Sequence, residues 1–159
     1  MIFKDDILAN RANTKGLLFI ISYRSFSALY GLFGHKYLSV LRQISCLPYI
    51  LLIQWIMGID IPLGTRIGRG FQLYHGQGVV INRHASIGAF VKIRQGVTIG
   101  NSTKNGNSPR IGDNVSIGPN VVIIGDVSVG RNSIISAMSL VNKSFDSNSI
   151  IGGIPAKVL

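Results

Sequence analysis

From Asp60 to Val141, single aliphatic residues recur at six-residue intervals. Ile61, Ile67, Leu73 and Val79 make one run, Ile81, Ile87, Ile93 and Ile99 a second, and Ile111, Ile117, Ile123, Val129, Ile135 and Val141 a third. Glycine often follows at once, as in Ile67-Gly68, Ile87-Gly88, Ile99-Gly100, Ile111-Gly112, Ile117-Gly118 and Val129-Gly130. A period of six matches neither the helical 3.6 nor the strand's 2. It fits a β-solenoid of short flat faces, each turning on a small residue and pointing one aliphatic inward onto its equivalent in the next coil. The pattern predicts a mainly β chain with this solenoid over residues 59–141 and a C-terminal cap over 142–159.

Ahead of the ladder the text is different. Residues 1–15 are polar and charged and read as a short helix or a loose arm. Leu17 to Phe33 reads as one helix, with Gly31 and Gly34 near its end, and Tyr37 to Met57 as a second, kinked or broken at Pro48 and stopped by Gly58. Residues 1–58 thus form a short N-terminal helical segment. Its stretch Leu47–Met57 is apolar nearly all round, which predicts burial against the solenoid or a neighbouring subunit. The run is shorter than the ~20 apolar residues of a membrane span and contains Gln54. Trp55, the tyrosines and the basic residues Arg24, Lys36 and Arg42 add a second expectation, peripheral association with the inner face of a membrane through these helices. With Asp5 and Asp6 so early, the N-terminus does not read as a secretory signal, and a cytoplasmic location is expected.

Composition narrows the picture. The 159 residues suit one domain, and 47% hydrophobic against 14% charged residues argues against disorder. The net charge of +10, with no glutamate, points to a polyanionic partner: nucleic acid, an anionic membrane or a phosphate-rich cofactor. The basic residues are scattered through turns with few interleaved aromatics, which speaks against nucleic acid. Cys46, the one cysteine, supports neither a disulfide framework nor a zinc site and reads as a small buried hydrophobe, in keeping with a reducing compartment. A metal-dependent hydratase on a solenoid needs three clustered histidines, but the ladder holds only His75 and His84, with His35 in the helices, so no metal is expected.

Two breaks in the ladder carry the candidate chemistry. Between Leu73 and Ile81 the step is eight, across Tyr74-His75-Gly76-Gln77-Gly78. Between Ile99 and Ile111 a polar stretch, with Asn105 where an aliphatic is due, predicts a surface loop expelled over 101–110. An imidazole suits a general base that removes a hydroxyl proton. Asp60 lies fifteen residues before His75, close to one coil, so that its carboxylate can orient the far ring nitrogen. Each also has a plainer reading, His75 as a solvent-facing turn residue and Asp60 as a cap.

The phrase Asp60-Ile61, Ile67-Gly68-Arg69-Gly70, Leu73-Tyr74-His75, the stretch Gly96-Val97-Thr98-Ile99-Gly100 and the closing Gly153-Ile154-Pro155-Ala156-Lys157-Val158 resemble the hexapeptide-repeat acyltransferases. The resemblance runs from about Trp55 to the C-terminus and is nearest the serine acetyltransferase branch with its small exopolysaccharide and capsule O-acetyltransferases. It implies a left-handed parallel β-helix, a homotrimer with active sites between subunits, acetyl-CoA as donor, His75 as base and Asp60 as its orienting partner. The donor's pantetheine arm is expected along Gly100, Asn101, Pro119 and Ala137, with Arg110, Lys143, Lys157 and Lys104 as candidate phosphate-binding cations. A backbone N–H near Gly100 or Asn101 is a candidate oxyanion donor. No Ser or Cys nucleophile stands beside His75, so direct transfer is expected. The chain departs from the serine enzymes at Tyr74, where they carry an Asp, and at Asn107 and Ser108, where they carry an Arg-His pair that holds the amino acid. These departures favour a carbohydrate hydroxyl as acceptor, met by Tyr74 and Ser108, in polysaccharide biosynthesis, with serine O-acetylation for cysteine biosynthesis as the alternative.

Overall fold

The computed structural model describes residues 2–32, 39–103 and 106–159; Phe33, Gly34, His35, Lys36, Tyr37, Lys104 and Asn105, named above, lie outside them. Among the described residues the architecture is a parallel β-solenoid preceded by helices. Helix α1 spans Ile2–Asn10 and α2 Thr14–Leu32. Helix α2 starts earlier than the hydrophobic run suggests because the Asn13 side chain accepts a hydrogen bond from the Gly16 N–H at 3.1 Å, the contact of an N-terminal cap. Helix α3, Ser39–Tyr49, contains Pro48 and passes into a π-helical turn, Ile50–Ile56. Within this chain burial here is one-sided: Cys46, Tyr49 and Ile53 are buried, while Trp55 and Ile56 are 77% and 75% exposed. Among the described residues no helix is long and apolar enough to cross a membrane.

The solenoid strands form three sheets. The first holds β1 (Ile59–Asp60), β4 (Val79–Ile81), β7 (Thr98–Gly100), β10 (Val122–Ile124) and β13 (Leu140–Val141). The second holds β2 (Arg66–Ile67), β5 (Ser86–Ile87), β8 (Arg110–Ile111) and β11 (Ser128–Val129). The third holds β3 (Gln72–Leu73), β6 (Lys92–Ile93), β9 (Ser116–Ile117), β12 (Ile134–Ile135) and β14 (Ile150–Gly153), and β15 (Ala156–Val158) folds back antiparallel on β14. All other pairings are parallel, and in each the ladder aliphatics stack: Ile67 on Ile87 on Ile111, Leu73 on Ile93 on Ile117.

The ladder residues are buried throughout, but they are only one of two inner columns per sheet. The second stands two positions earlier and includes Phe71, Ala85, Val91, Val97, Val115, Val121 and Val127. Val79 belongs to this second column: it pairs with Ile59, not with a residue of the Ile61 run. Each coil contributes about two apolar side chains per face, at ~1.5–3 kcal/mol per buried Val, Leu or Ile.

Register locates both breaks. Ile81 pairs with Ile99, the plain three-face spacing. Ile59 pairs with Val79, two residues more, absorbed at the Tyr74–Gly78 corner. Ile87 pairs with Ile111, six residues more than plain spacing, so the segment after β7 leaves the coil and β8 rejoins in phase.

The helices close the open end of the first coil, and they do so with polar side chains. Asn10 donates to the carbonyl of Phe71 (2.8 Å), Asn13 to Leu73 (2.8 Å), Tyr23 to Thr65 (2.5 Å), Tyr49 to Ile61 (2.7 Å), and Arg24 to Ile67 (2.8 Å) and Gly68 (2.6 Å). Asp6 accepts from the Gly70 N–H (2.7 Å) and from Arg24 Nε (2.9 Å). An edge strand presents unpaired carbonyls and amides, and burying them without partners costs about as much as losing the bonds. Burial pushes the phenols of Tyr23 and Tyr49 upward, so both stay protonated donors.

Candidate active site

The two extra residues of the first coil make a bulge at the corner between the third and first sheets. The Gly76 N–H donates to the Tyr74 carbonyl (2.8 Å), the Gln77 N–H to His75 (2.9 Å), and the Gly78 N–H to Gly58 of the preceding coil (2.8 Å). His75 has φ 66°, in the left-handed region. The Tyr74 N–H bonds the Ile93 carbonyl and the Gly96 N–H the Gln77 carbonyl, so His75 and Gly76 are the two inserted residues, and the corner column of Gln95, Pro119 and Ala137 starts at Gln77. A left-handed non-glycine residue costs ~1–3 kcal/mol and persists where its surroundings hold it. Here Gly76 is tucked inward, where an added Cβ would sit 3.0 Å from Ile59 Cδ1 and 3.1 Å from Leu73 Cδ2, and His75 is thrown outward and exposed. Beside it the Tyr74 hydroxyl bonds Gln72 Oε1 (2.9 Å), and the Arg94 guanidinium lies 5.9 Å from the Tyr74 ring centre.

Asp60 is exposed on β1, paired in register with Val80, and thus borders the same corner one coil below. Its Oδ1 accepts from Gln54 Nε2 at 3.3 Å, an amide carried on the π-helical turn. No hydrogen bond or ion pair joins Asp60 to His75 among the described residues. The two are neighbours in the coil but are not a formed dyad; catalytic hydrogen bonds commonly tighten only when substrate is bound.

The candidate donor residues fall into separate groups. Pro119 and Ala137 stand in one column in the later coils of the corner that carries His75. Gly100 and Asn101 stand at the opposite edge of the first sheet, where Asn82 Nδ2 donates to Asn101 Oδ1 (3.0 Å) and Asn101 Nδ2 to the Thr103 carbonyl (2.6 Å). A Cβ on Gly100 would meet nothing within 4 Å, so packing within this chain does not require the glycine. Arg110 points outward from β8 and pairs with Asp126 at 3.1 Å; the Asn107 amide and then that guanidinium hold the Asp126 carboxyl below the usual carboxylate range. Lys143 follows β13, its ammonium 5.5 Å from the Phe145 ring centre, and Lys157 lies apart on β15. The acceptor candidates are also divided: Tyr74 is at the His75 corner, while Ser108 is at the loop corner, 8% exposed, its hydroxyl donating to Asn82 Oδ1 (3.2 Å).

One feature of the site escaped the reading of the ladder. On the first sheet the outward residues are Asp60, Val80, Thr98, Val122 and Leu140, with Ile124 beside them; on the second they are Arg66, Ser86, Arg110 and Ser128. Above Asp60 the sheet between the His75 corner and the loop corner therefore has a mostly apolar outer face, interrupted by Thr98. The signal was present in the position before each ladder residue, once those positions are sorted by face.

Comparison with known proteins adds to this geometry. Residues 108–143 match the family model described as bacterial transferase hexapeptide (six repeats). The chain is 36% identical over 159 residues to serine acetyltransferase 2 of Arabidopsis thaliana, covering 99% of this chain and 49% of that one. It is 32% identical over 162 residues to the serine acetyltransferase of Staphylococcus aureus strain Mu50, covering 100% of this chain and 74% of that one. The Neisseria gonorrhoeae serine acetyltransferase in complex with serine superposes with a TM-score of 0.80 at 29% identity, over 99% of this chain and 67% of that one. The chain thus spans about half the length of its plant relative.

These relatives overturn the expectation of a carbohydrate acceptor and a place in polysaccharide biosynthesis. That expectation rested on the departures at Tyr74, Asn107 and Ser108, with Tyr74 and Ser108 meeting the acceptor. In the structure Asn107 is tied to Asp126 (3.0 Å) and Ser108 to Asn82, so their loss of charge says little about the acceptor, and Arg94, Arg66 and Arg110 remain near the two corners.

Proposed function

Because the chain belongs to the serine acetyltransferase family of hexapeptide-repeat transferases, we propose that it transfers an acetyl group from acetyl-CoA to the hydroxyl of L-serine. The observation that carries the reading is His75, a left-handed residue pushed into solvent by a two-residue bulge beside Asp60. His75 takes the hydroxyl proton as the serine oxygen attacks the thioester carbonyl carbon. Asp60 turns from Gln54 to the far ring nitrogen and stabilises the imidazolium. When the C–S bond breaks, the imidazolium returns the proton to the departing CoA thiolate, giving O-acetylserine and free CoA. A backbone N–H near Gly100 or Asn101, supplied by the loop corner of a neighbouring copy, meets the oxyanion, the open space at Gly100 leaving room for the thioester.

The working unit in this reading is a trimer. Rotation about an axis parallel to the solenoid keeps every coil at its height, so a neighbour docked on the first sheet brings its loop corner level with His75. The apolar outer face of Val80, Val122, Ile124 and Leu140 supports this arrangement. Val122→Asp is expected to give monomers in sedimentation velocity and to lose activity with them; a variant that still sediments as a trimer would remove this face as the interface. The activity is tested by following CoA thiol release from acetyl-CoA. The purified protein should release thiol only when L-serine is added, and release no faster than background hydrolysis would overturn the reading.

A further inference from the structure

On the outer face of the second sheet, beneath the loop, lies a cavity of about 440 Å³ lined by Arg66, His84, Ser86, Asn107, Ser108 and Arg110. Its charges do not balance. Arg110 is neutralised by Asp126. Arg66 has no ion pair or hydrogen bond among the described residues, and neither do the His84 ring and the Ser86 hydroxyl. A surplus guanidinium, an imidazole and a hydroxyl thus face one space with no carboxylate of their own. Arg66 and Ser86 are paired in register, so the donors sit one strand apart on a rigid sheet, not on a loop.

Building on the serine acetyltransferase reading, we propose that this cavity takes the carboxylate of the acceptor amino acid, with Arg66 as its principal ligand. A guanidinium meets a planar carboxylate through two parallel N–H bonds, which fixes orientation as well as charge. Height in the solenoid favours acceptor over donor. Arg66, Ser86 and Arg110 belong to the first three coils, the level at which a neighbouring copy would present His75. Pro119, Ala137 and Lys143 climb through the later coils, away from this level.

The test uses Arg66→Gln in the full chain, since Arg66 is exposed and unpaired and the variant should fold. The KM for L-serine is expected to rise ~10-fold or more, the value of a hydrogen bond to a charged group, with kcat and the KM for acetyl-CoA within about 2-fold. The wild-type preference for L-serine over L-serinamide, which lacks the carboxylate, should collapse in the variant. An unchanged serine KM, or a rise confined to the KM for acetyl-CoA, would overturn the proposal, the second outcome assigning the cavity to the donor phosphates. Failure of the functional reading itself would show in the wild type, as absence of serine-dependent thiol release, and would take this proposal with it.

Discussion

Alanine at position 75 should lower kcat for serine acetylation by ~10²–10⁴-fold, the usual worth of a positioned general base, while the KM for acetyl-CoA stays near wild type. The effect follows from where the bulge puts the ring. Gly76 fills the inward place next to Ile59 and Leu73, so the outward residue has no packing task and its replacement removes little from the core. Its left-handed backbone, φ 66°, still has to be kept. Asparagine visits that region readily, so His75→Asn serves as a fold-neutral companion without a base. Both variants should melt within a few degrees of the wild type and be equally inactive in the thiol-release assay. Retention of activity within about 3-fold by the asparagine variant would remove His75 from the mechanism.

The second large effect concerns stability. Asp6→Ala is expected to destabilise the chain by ~3–5 kcal/mol, the cost of breaking one side of a buried ion pair. Asp6 is 1% exposed and serves two partners, Arg24 Nε at 2.9 Å and the Gly70 N–H at 2.7 Å. Without it the Arg24 guanidinium keeps only the carbonyls of Ile67 and Gly68, and a backbone amide of the first coil is left unpaired. Coils depend on their neighbours, so loosening the first coil also loosens the corner that holds His75. At ~2–4 °C per kcal/mol for a chain of this size, the melting temperature should fall by roughly 10 °C. Urea unfolding gives the check: a loss below about 1 kcal/mol would mean that the cap does not depend on this carboxylate.

The two predictions draw on different parts of the sequence. The ladder made the solenoid legible because stacking repeats one chemical choice at a fixed step, from Ile61 to Val141. The bulge at His75 and the departure after Ile99 were legible for the same reason, as errors in a regular count. The cap was not. Asn10, Asn13, Tyr23, Arg24 and Tyr49 act on main-chain carbonyls 12 to 61 positions away, and such partners leave no periodic trace. Side-chain direction was equally hidden: Ser108 reads as a substitution in an acceptor site but turns its hydroxyl onto Asn82. Asp60 reads as the partner of His75, yet its carboxylate is held by Gln54, whose approach depends on a π-helical turn that the sequence did not suggest.

The polar cap has a consequence beyond stability. A stack of flat, parallel, in-register strands is also the geometry of an amyloid fibril, and each exposed end is a template for adding another chain. On the first coil the carbonyls of Ile61, Thr65, Ile67, Gly68, Phe71 and Leu73 are already taken by side chains. At the other end, β15 runs antiparallel across the third sheet, a direction on which a parallel coil cannot continue. The same side chains that complete one molecule therefore keep two from joining end to end, and a chain that lost its helices would be exposed to filament growth as well as to unfolding.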